Sequence, residues 1–187
     1  NSYTNALDTY IASSTPDNNV YFSSKLNARS STSGTIYNSI LTFEISSIPD
    51  TALITSAILM LTSSDSATNT PGGVFGIYQI TTPGITIGPV GATWNKKNGV
   101  NSWSNGPFSQ SDYQPSFLVQ SNMPNGQNIK FNFTSNYLSA YIKSKLSSDK
   151  VEFLLNNDGA QNSLQEFWSA DATTVTNRPK LFITYVI

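Results

Sequence analysis

Eleven carboxylates are the side chains of this sequence that could support catalysis on their own. The chain contains no His and no Cys, which removes the commonest general base, thiol nucleophiles and the usual zinc ligands. Hydrolysis of glycosides by a pair of Asp or Glu side chains needs neither residue type. Most of these acids, however, lie in predicted turns or on the solvent faces of predicted strands, where a carboxylate simply meets water. We therefore expect no catalytic centre and no enzymatic activity.

The same acids could instead bind calcium, which takes about six to eight oxygen ligands. No Asp-x-Asp-x-Asp-Gly run is present to build a calcium loop locally. A site would have to combine distant loops, for instance Asp8 or Asp17 with Asp171 and backbone carbonyls. Isolated, solvated acids are the simpler interpretation, so we expect no metal and no other cofactor.

Three aromatic residues stand in a stretch rich in Ser, Asn and Gly, NSWSNGPFSQSDY (101–113). Trp103, Phe108 and Tyr113 show no strand periodicity there. Flat rings bind the apolar faces of sugars, and exposed rings also mark contacts with partners. These three residues are our candidate ligand-binding residues. The alternative is that the rings anchor an otherwise polar loop.

The composition excludes several classes of partner. Charged residues make up 11% of the chain, against about 25% in ordinary domains, whereas 28 Ser, 20 Thr and 20 Asn are present. A net charge of −1 provides no basic patch for nucleic acid. No apolar run approaches the roughly 20 residues that would span a bilayer, so we expect no membrane insertion.

Location is predicted from the same features. A polar, charge-poor surface favours an extracellular or cell-surface protein, and the absence of an initial Met indicates that an export signal has been removed. The sequence holds one N-glycosylation motif, Asn132-Phe133-Thr134, and Asn132 is therefore a candidate glycosylation site.

Period-two alternation of apolar residues dominates the chain and predicts about ten short strands. One stretch, residues 135–147, has helical spacing, with Thr134 or Ser135 as N-cap. These features predict an all-β fold, a jelly-roll-like antiparallel β-sandwich with one short helix. The predicted core comprises Leu41, Phe43, Leu59, Leu61, Phe131, Phe153, Leu155 and Phe182 between the sheets, and Leu138 and Ile142 under the helix.

The order of segments resembles the DNRLRE-domain family, which overlaps disaggregatase-related repeats and a group of carbohydrate-binding modules. The segments are DTYIASSTPDNNVYFSSKLNARSS, ILTFEISSIPDTALITSAILMLT, ATWN, FNFTSNYLSAYI, FLLNND and FWSADATTVTNRPKLFITY. The resemblance covers essentially the whole chain and implies a non-catalytic jelly-roll module of exported proteins. Trp94 falls on the family's Trp motif, which implies a structural role for it.

Residues 1–7 precede the resemblance and form a candidate N-terminal tail, with residues 8–187 as a single β-sandwich domain. The alternation of Tyr3 and Leu7 with polar residues predicts a strand that could complete the chain's own sheet or that of a neighbouring subunit. In the second case Tyr3, Leu7 and Ile11 would be subunit contacts.

Two functions remain open from the sequence. The first is an extracellular structural protein that associates with itself into a filament, appendage or matrix. It is favoured by the low charge and by the terminal strand segments. The second is a carbohydrate-binding module that recognises a cell-surface or matrix polysaccharide, favoured by the family resemblance and by the aromatic loop.

Overall fold

The computed structural model describes residues 2–31, 34–65, 74–122, 126–158 and 163–187. Within these residues the chain forms strands and one α-helix. The strands are β1 (Ser2–Tyr3), β2 (Ala6–Ala12), β3 (Lys25–Arg29), β4 (Tyr37–Glu44), β5 (Leu53–Thr62), β6 (Val74–Gln79), β7 (Val119–Asn122), β8 (Lys130–Phe133), β9 (Lys150–Asn157), β10 (Leu164–Trp168) and β11 (Lys180–Val186).

Two sheets are built from these strands, and every pairing among the described residues is antiparallel. The smaller sheet has the order β1-β11-β5-β8, and the larger one β10-β3-β4-β9-β6-β7, with β2 also paired to β4. The sheets curl into a half-barrel. This arrangement confirms the predicted all-β, jelly-roll-like sandwich.

The helix α1 (Asn136–Ser144) lies inside the predicted range and is followed by a 3-10 turn at Leu146–Ser148. Ser135 caps it, because its hydroxyl accepts a hydrogen bond from the Leu138 amide at 3.0 Å and so satisfies an otherwise unpaired N-terminal N–H. Leu138 and Ile142 are fully buried, as the helical spacing predicts.

The main core fills the space between the sheets and contains nine of the ten residues predicted for it. Phe182 is the exception and is 36% exposed, which corrects the prediction. Phe182 shares its phase of alternation in β11 with Lys180 and Thr184, whereas Leu181 and Ile183 belong to the more apolar phase. The structure turns Leu181 and Ile183 into the core, and Phe182, which lies between them, therefore faces out.

The N-terminal segment completes the chain's own sheets. Tyr3 in β1 pairs with Leu181 of β11 in the smaller sheet, and β2 runs along β4 in the larger sheet. The segment therefore crosses from one sheet to the other between β1 and β2, and the division into a tail and a domain at residue 7 is not observed. Ile11 is fully buried inside its own chain, which corrects its assignment as a subunit contact; Leu7 is 43% exposed.

A long segment, residues 81–113, covers the outer face of the larger sheet, and we call it the cover loop. A second apolar cluster lies beneath it. The sheet contributes Ile11, Ile40, Tyr78, Ile80 and Leu154, and the loop contributes Ile85, Ala92, Trp103 and Phe108. Because this face is covered, β2, β4 and β9 each bury an apolar residue on it, Ile11, Ile40 and Leu154.

Candidate functional site

Asp112 holds the end of the cover loop in place. Its buried carboxylate accepts hydrogen bonds from the Thr82 hydroxyl at 2.6 Å, from the Ser104 amide at 2.9 Å and from the Ser109 amide at 2.9 Å. Burial by itself would raise the pKa of Asp112, but these bonds to the charged form outweigh it and lower the pKa. Asp112 therefore acts as an ionised clamp for the loop.

The rings of the cover loop pack around Phe108. Trp103 meets it edge to face at 5.0 Å between ring centroids, Trp94 does so at 5.9 Å, and Tyr113 stacks on it at 5.9 Å with 12° between the planes. The turn that brings Trp103 close to Phe108 closes at Gly106, whose φ of +108° is rarely adopted by other residues. The three candidate ligand-binding residues thus form one aromatic group.

The rings of this group differ in how much of their surface is exposed to solvent. Trp103 is 3% exposed and Phe108 is 5% exposed, and the Trp103 indole N–H donates to the Thr93 carbonyl at 3.0 Å. Trp103 is therefore an anchor of the loop, which corrects its assignment as an exposed sugar-stacking ring. Tyr113 and Trp94 are partly exposed, so they present the accessible ring surface.

A cavity of about 310 Å³ opens beside these rings, between the cover loop and the outer face of the larger sheet. We call it the amide pocket. Its volume is at the lower end of the roughly 300–1,000 Å³ typical of small-molecule sites. It is lined by Ser30, Ser31, Ile36, Asn38, Trp94, Phe108, Ser109, Gln110, Tyr113, Asn156 and Asn157.

Asn38 is a buried amide in the lining of the amide pocket. It belongs to β4, is 6% exposed, and its Oδ1 has no hydrogen-bond partner among the residues that the structure describes. An unpaired buried acceptor costs about 1–3 kcal/mol. That oxygen has almost no accessible surface, so a ligand in the pocket would meet the rest of the Asn38 side chain.

Asn156 is held from behind by Asp158. The Asn156 Nδ2 donates to Asp158 Oδ1 at 2.9 Å, while Asp158 Oδ2 accepts the Tyr78 hydroxyl at 2.5 Å and the Gln120 amide at 3.1 Å. Gly76 leaves room for this group, since a Cβ at that position would collide with the Asp158 carboxylate and the Tyr78 ring. The side chain of Asn156 is therefore fixed at the pocket before any ligand arrives.

The lining of the amide pocket is uncharged. Its residues are amides, hydroxyls, one isoleucine and aromatic rings. The guanidinium of Arg29 lies in the neighbourhood of the lining residue Ser31. A Cβ built on Gly34 would stand 2.8 Å from the Ser31 hydroxyl oxygen and 3.6 Å from Arg29 Nη2. Arg29 itself is outside the lining, and its Nε is buried without a partner among the described residues.

Sequence reasoning missed Asn38 and Asn156, and it assigned Trp94 a structural role although Trp94 lines the pocket. A weak signal for Asn38 was present. Asn disfavours strands, yet Asn38 is the second residue of strand β4. For Asn156 no signal was visible, because its role depends on a partner strand and on Asp158.

Of the acids considered as calcium ligands, Asp8 lies near Asp171, whereas Asp17 has a different partner. Asp8 is buried between the sheets and accepts the Ala170 amide at 2.7 Å, and the charge of Asp171 acts on it. Asp17 instead accepts the Asn95 amide of the cover loop at 2.9 Å. Within the described ranges, no group of three or more His, Cys, Asp or Glu side chains could hold a metal ion.

A second groove, of about 730 Å³, lies between α1 and residues 114–118. Its rim carries two rings, Phe117 at 47% and Tyr137 at 72% exposure. Although this groove is larger, the described residues that line it include no buried side-chain atom without a hydrogen-bond partner. The amide pocket is therefore the stronger candidate site.

Asn132, the candidate glycosylation site, is exposed on β8, which forms one edge of the smaller sheet. An acceptor Asn has to be accessible, and this position meets that condition. Its modification stays a prediction.

No model of a protein family matches this chain, and no curated protein matches its sequence. The resemblance to the DNRLRE-domain family therefore stays a prediction. In the part of the chain that the structure describes, no helix has the length and apolar character needed to cross a membrane.

Proposed function

We propose that this protein is a non-catalytic carbohydrate-binding module of an extracellular or cell-surface protein, and that it binds sugar in the amide pocket. The observation that carries the proposal is the partly exposed ring of Tyr113 beside the side-chain amides of Asn38 and Asn156 in the lining of one pocket. A sugar ring matches both groups, since its C–H face packs on an aromatic ring and its hydroxyls donate hydrogen bonds to amide oxygens.

The size and lining of the pocket support the same proposal. A volume of about 310 Å³ suits one sugar residue or the end of a longer chain. Apolar rings on one side and a few fixed polar groups on the other are the usual composition of small-molecule sites. Because Asn156 is already oriented by Asp158, binding costs little ordering of that side chain.

The lining also supports a role in binding without catalysis. Hydrolysis of a glycoside by the common mechanism needs two carboxyl groups flanking the scissile bond. Among the described residues that line the amide pocket, none is Asp or Glu. A sugar held there would be bound and released unchanged.

Self-association into a filament stays a prediction, and the strand pairing within the chain weighs against one route to it. Donation of the N-terminal strand to a neighbour would first have to break the pairing of β1 with β11 and of β2 with β4. Those pairings already provide the backbone hydrogen bonds that a neighbour would offer. The low charge of the chain is equally compatible with binding neutral sugars.

The proposal is tested by a glycan array that includes neutral, amino, uronic and sulfated sugars, followed by titration calorimetry with the best ligand. Tyr113→Ala should weaken binding by about tenfold or more, as the loss of a central aromatic contact does. Tyr137→Ala is the matched control, because it removes an exposed ring from the groove at α1 and should leave affinity unchanged. No binding on the array would refute the proposal, and loss in Tyr137→Ala alone would place the site in the other groove.

A further inference from the structure

We propose that Asn105 is a site of spontaneous deamidation, and that the fold protects Asn98 from the same reaction. Each of these residues precedes a glycine, as Asn105-Gly106 and Asn98-Gly99, and both pairs lie in the cover loop. The reaction needs only water, so it goes beyond the proposed function and does not depend on sugar binding.

Deamidation begins when the backbone nitrogen of the following residue attacks the side-chain carbonyl carbon of Asn. At Asn105 the bond from Gly106 N to Cγ forms, the bond from Cγ to Nδ2 breaks, and ammonia leaves with the proton of the Gly106 amide. Water then opens the resulting succinimide ring at either carbonyl. The products are Asp, or isoaspartate, in which the main chain runs through Cβ and Cγ. Glycine favours the attack because it has no Cβ to hinder the approach.

The side chain of Asn105 is free to reach its neighbour. Asn105 is exposed in the turn from Trp103 to Gly106, and its side chain has no hydrogen-bond partner among the described residues. The Gly106 amide, which is the nucleophile, meets the Trp103 carbonyl at 3.5 Å, longer than the usual range of about 2.7–3.2 Å. Neither reacting group therefore has to give up a strong contact.

Three hydrogen bonds hold the side chain of Asn98 in place. Its Oδ1 accepts the Val100 amide at 3.3 Å and the Asn101 amide at 2.8 Å, and its Nδ2 donates to the Gly84 carbonyl at 3.3 Å. Rotation of the side chain toward the Gly99 nitrogen would break these bonds, and ammonia can leave only after the contact with Gly84 is lost. The same dipeptide is therefore reactive at one position of the cover loop and protected at the other.

Deamidation of Asn105 changes the turn that anchors Trp103. Asp at this position places a second carboxylate next to Ser104, whose amide donates to Asp112 at 2.9 Å, and like charges repel each other. Isoaspartate also lengthens the main chain by one atom between Trp103 and Gly106, so the 3.1 Å bond from the Trp103 amide to the Gly106 carbonyl cannot keep its geometry. The isoaspartyl form should be the less stable product.

Peptide mapping by mass spectrometry tests the assignment. The folded protein and the protein unfolded in urea are incubated in parallel at pH 8, and deamidation is followed separately at Asn98, at Asn105 and at Asn125, a third Asn that precedes a glycine and lies outside the described residues. In the folded protein Asn105 should react at least ten times faster than Asn98, and in urea the two rates should become similar. A smaller ratio in the folded protein overturns the proposal. A tenfold ratio that persists in urea also overturns it, because local sequence and not the fold would then set the rates.

Two variants test the effect of the reaction on the turn. Asn105→Gln, aged in parallel with wild type, should lose less of its thermal midpoint, because the two proteins share every other Asn. Asn105→Asp carries the charge of the deamidated form on an unaltered main chain, and the isoaspartyl form purified from aged wild type should melt below it. Equal losses in wild type and Asn105→Gln, or equal midpoints for Asn105→Asp and the isoaspartyl form, would overturn the effect assigned to the turn.

Discussion

Asn156 donates its side-chain amide to the carboxylate of Asp158 over 2.9 Å, and this contact fixes a pocket residue from outside the pocket. The two residues lie at the end of β9 and just beyond it, next to β6. Asp158 also accepts the Tyr78 hydroxyl and the Gln120 amide. The site is thus oriented by a polar group that no ligand needs to touch.

Replacement of Asp158 tests this orienting role. In Asp158→Ala, Asn156 should sample several rotamers, and affinity for a neutral sugar should fall about three- to tenfold, or about 0.6–1.4 kcal/mol. Calorimetry measures the change. Asp65→Ala is the control of equal charge, because Asp65 forms an exposed ion pair with Lys25. Equal losses in both variants would show that overall charge, and not the orientation of Asn156, affects binding.

The clamp at Asp112 predicts a loss of stability on substitution. Asp112→Asn exchanges one acceptor for a donor that faces the hydroxyl or amide donors of Thr82, Ser104 and Ser109. The free energy of unfolding should fall by about 1–3 kcal/mol, the cost of unpaired buried groups. Urea denaturation at pH 7 measures it, and an unchanged midpoint would contradict the role assigned to Asp112.

The pH dependence follows from the lowered pKa of Asp112. A carboxyl whose folded pKa lies below its unfolded value contributes stability above the unfolded pKa, near 3.9, and loses it as the pH falls through the folded pKa. The contribution of Asp112 should therefore disappear in acid. The difference in unfolding free energy between wild type and Asp112→Asn should narrow below about pH 4.

The pKa of Asp8 is shifted in the opposite direction from that of Asp112. Burial between the sheets raises its pKa from 3.8 to about 7, with the Ala170 amide opposing the rise and the charge of Asp171 adding to it. Because the folded pKa exceeds the unfolded one, ionisation of Asp8 removes stability as the pH rises from about 4 to about 7. At pH 8, Asp8→Asn should raise the free energy of unfolding by on the order of 4 kcal/mol, at about 1.4 kcal/mol per pH unit.

Denaturation of wild type and Asp8→Asn at pH 4 and pH 8 checks this prediction. The amide oxygen of the variant can still accept the Ala170 amide, so the contact is kept while the charge is removed. The two proteins should be closely similar in stability near pH 4 and differ at pH 8. If Asp8→Asn is less stable than wild type at pH 8, then the burial of the Asp8 charge does not destabilise the folded protein and the account is wrong.

Much of the fold follows from the sequence because alternation is a local property. Where one phase of a strand is polar, as in β4 around Phe43 and Leu41, the inward face is decided by the residues themselves. In β11 the size of the Phe182 ring favoured the core, although its neighbours in the same phase, Lys180 and Thr184, are polar. Phe182 was therefore assigned to the core although it faces out.

Only part of the candidate site could be predicted, because the rest depends on contacts between distant segments. The rings at 103, 108 and 113 are visible in the sequence and do meet in space. Which ring stays accessible depends on how the cover loop folds onto the larger sheet, and no local pattern encodes that. Asn38 and Asn156 become site residues because β4 and β9 are neighbours, a relationship between residues more than 100 positions apart.

The contrast between Leu59 and Phe182 tests the packing of the sandwich. Leu59 is fully buried, whereas Phe182 is 36% exposed. Leu59→Ala should lower the free energy of unfolding by about 2–5 kcal/mol, as large-to-small changes in cores do. Phe182→Ala should cost clearly less, because much of its ring already meets water. Equal costs in chemical denaturation would mean that Phe182 is packed in the native protein.

The central claim, that sugar binds in the amide pocket, is tested most directly by NMR of the three tryptophan indoles during titration with the best glycan from the array. Trp94 lines the pocket, Trp103 lies behind Phe108, and Trp168 lies elsewhere, with its indole N–H bonded to Asn128 at 2.8 Å. We predict that the Trp94 indole signal shifts progressively to saturation while the Trp168 signal stays in place. A saturable shift of Trp168 alone, or glycan binding that leaves Trp94 unmoved, would contradict the account.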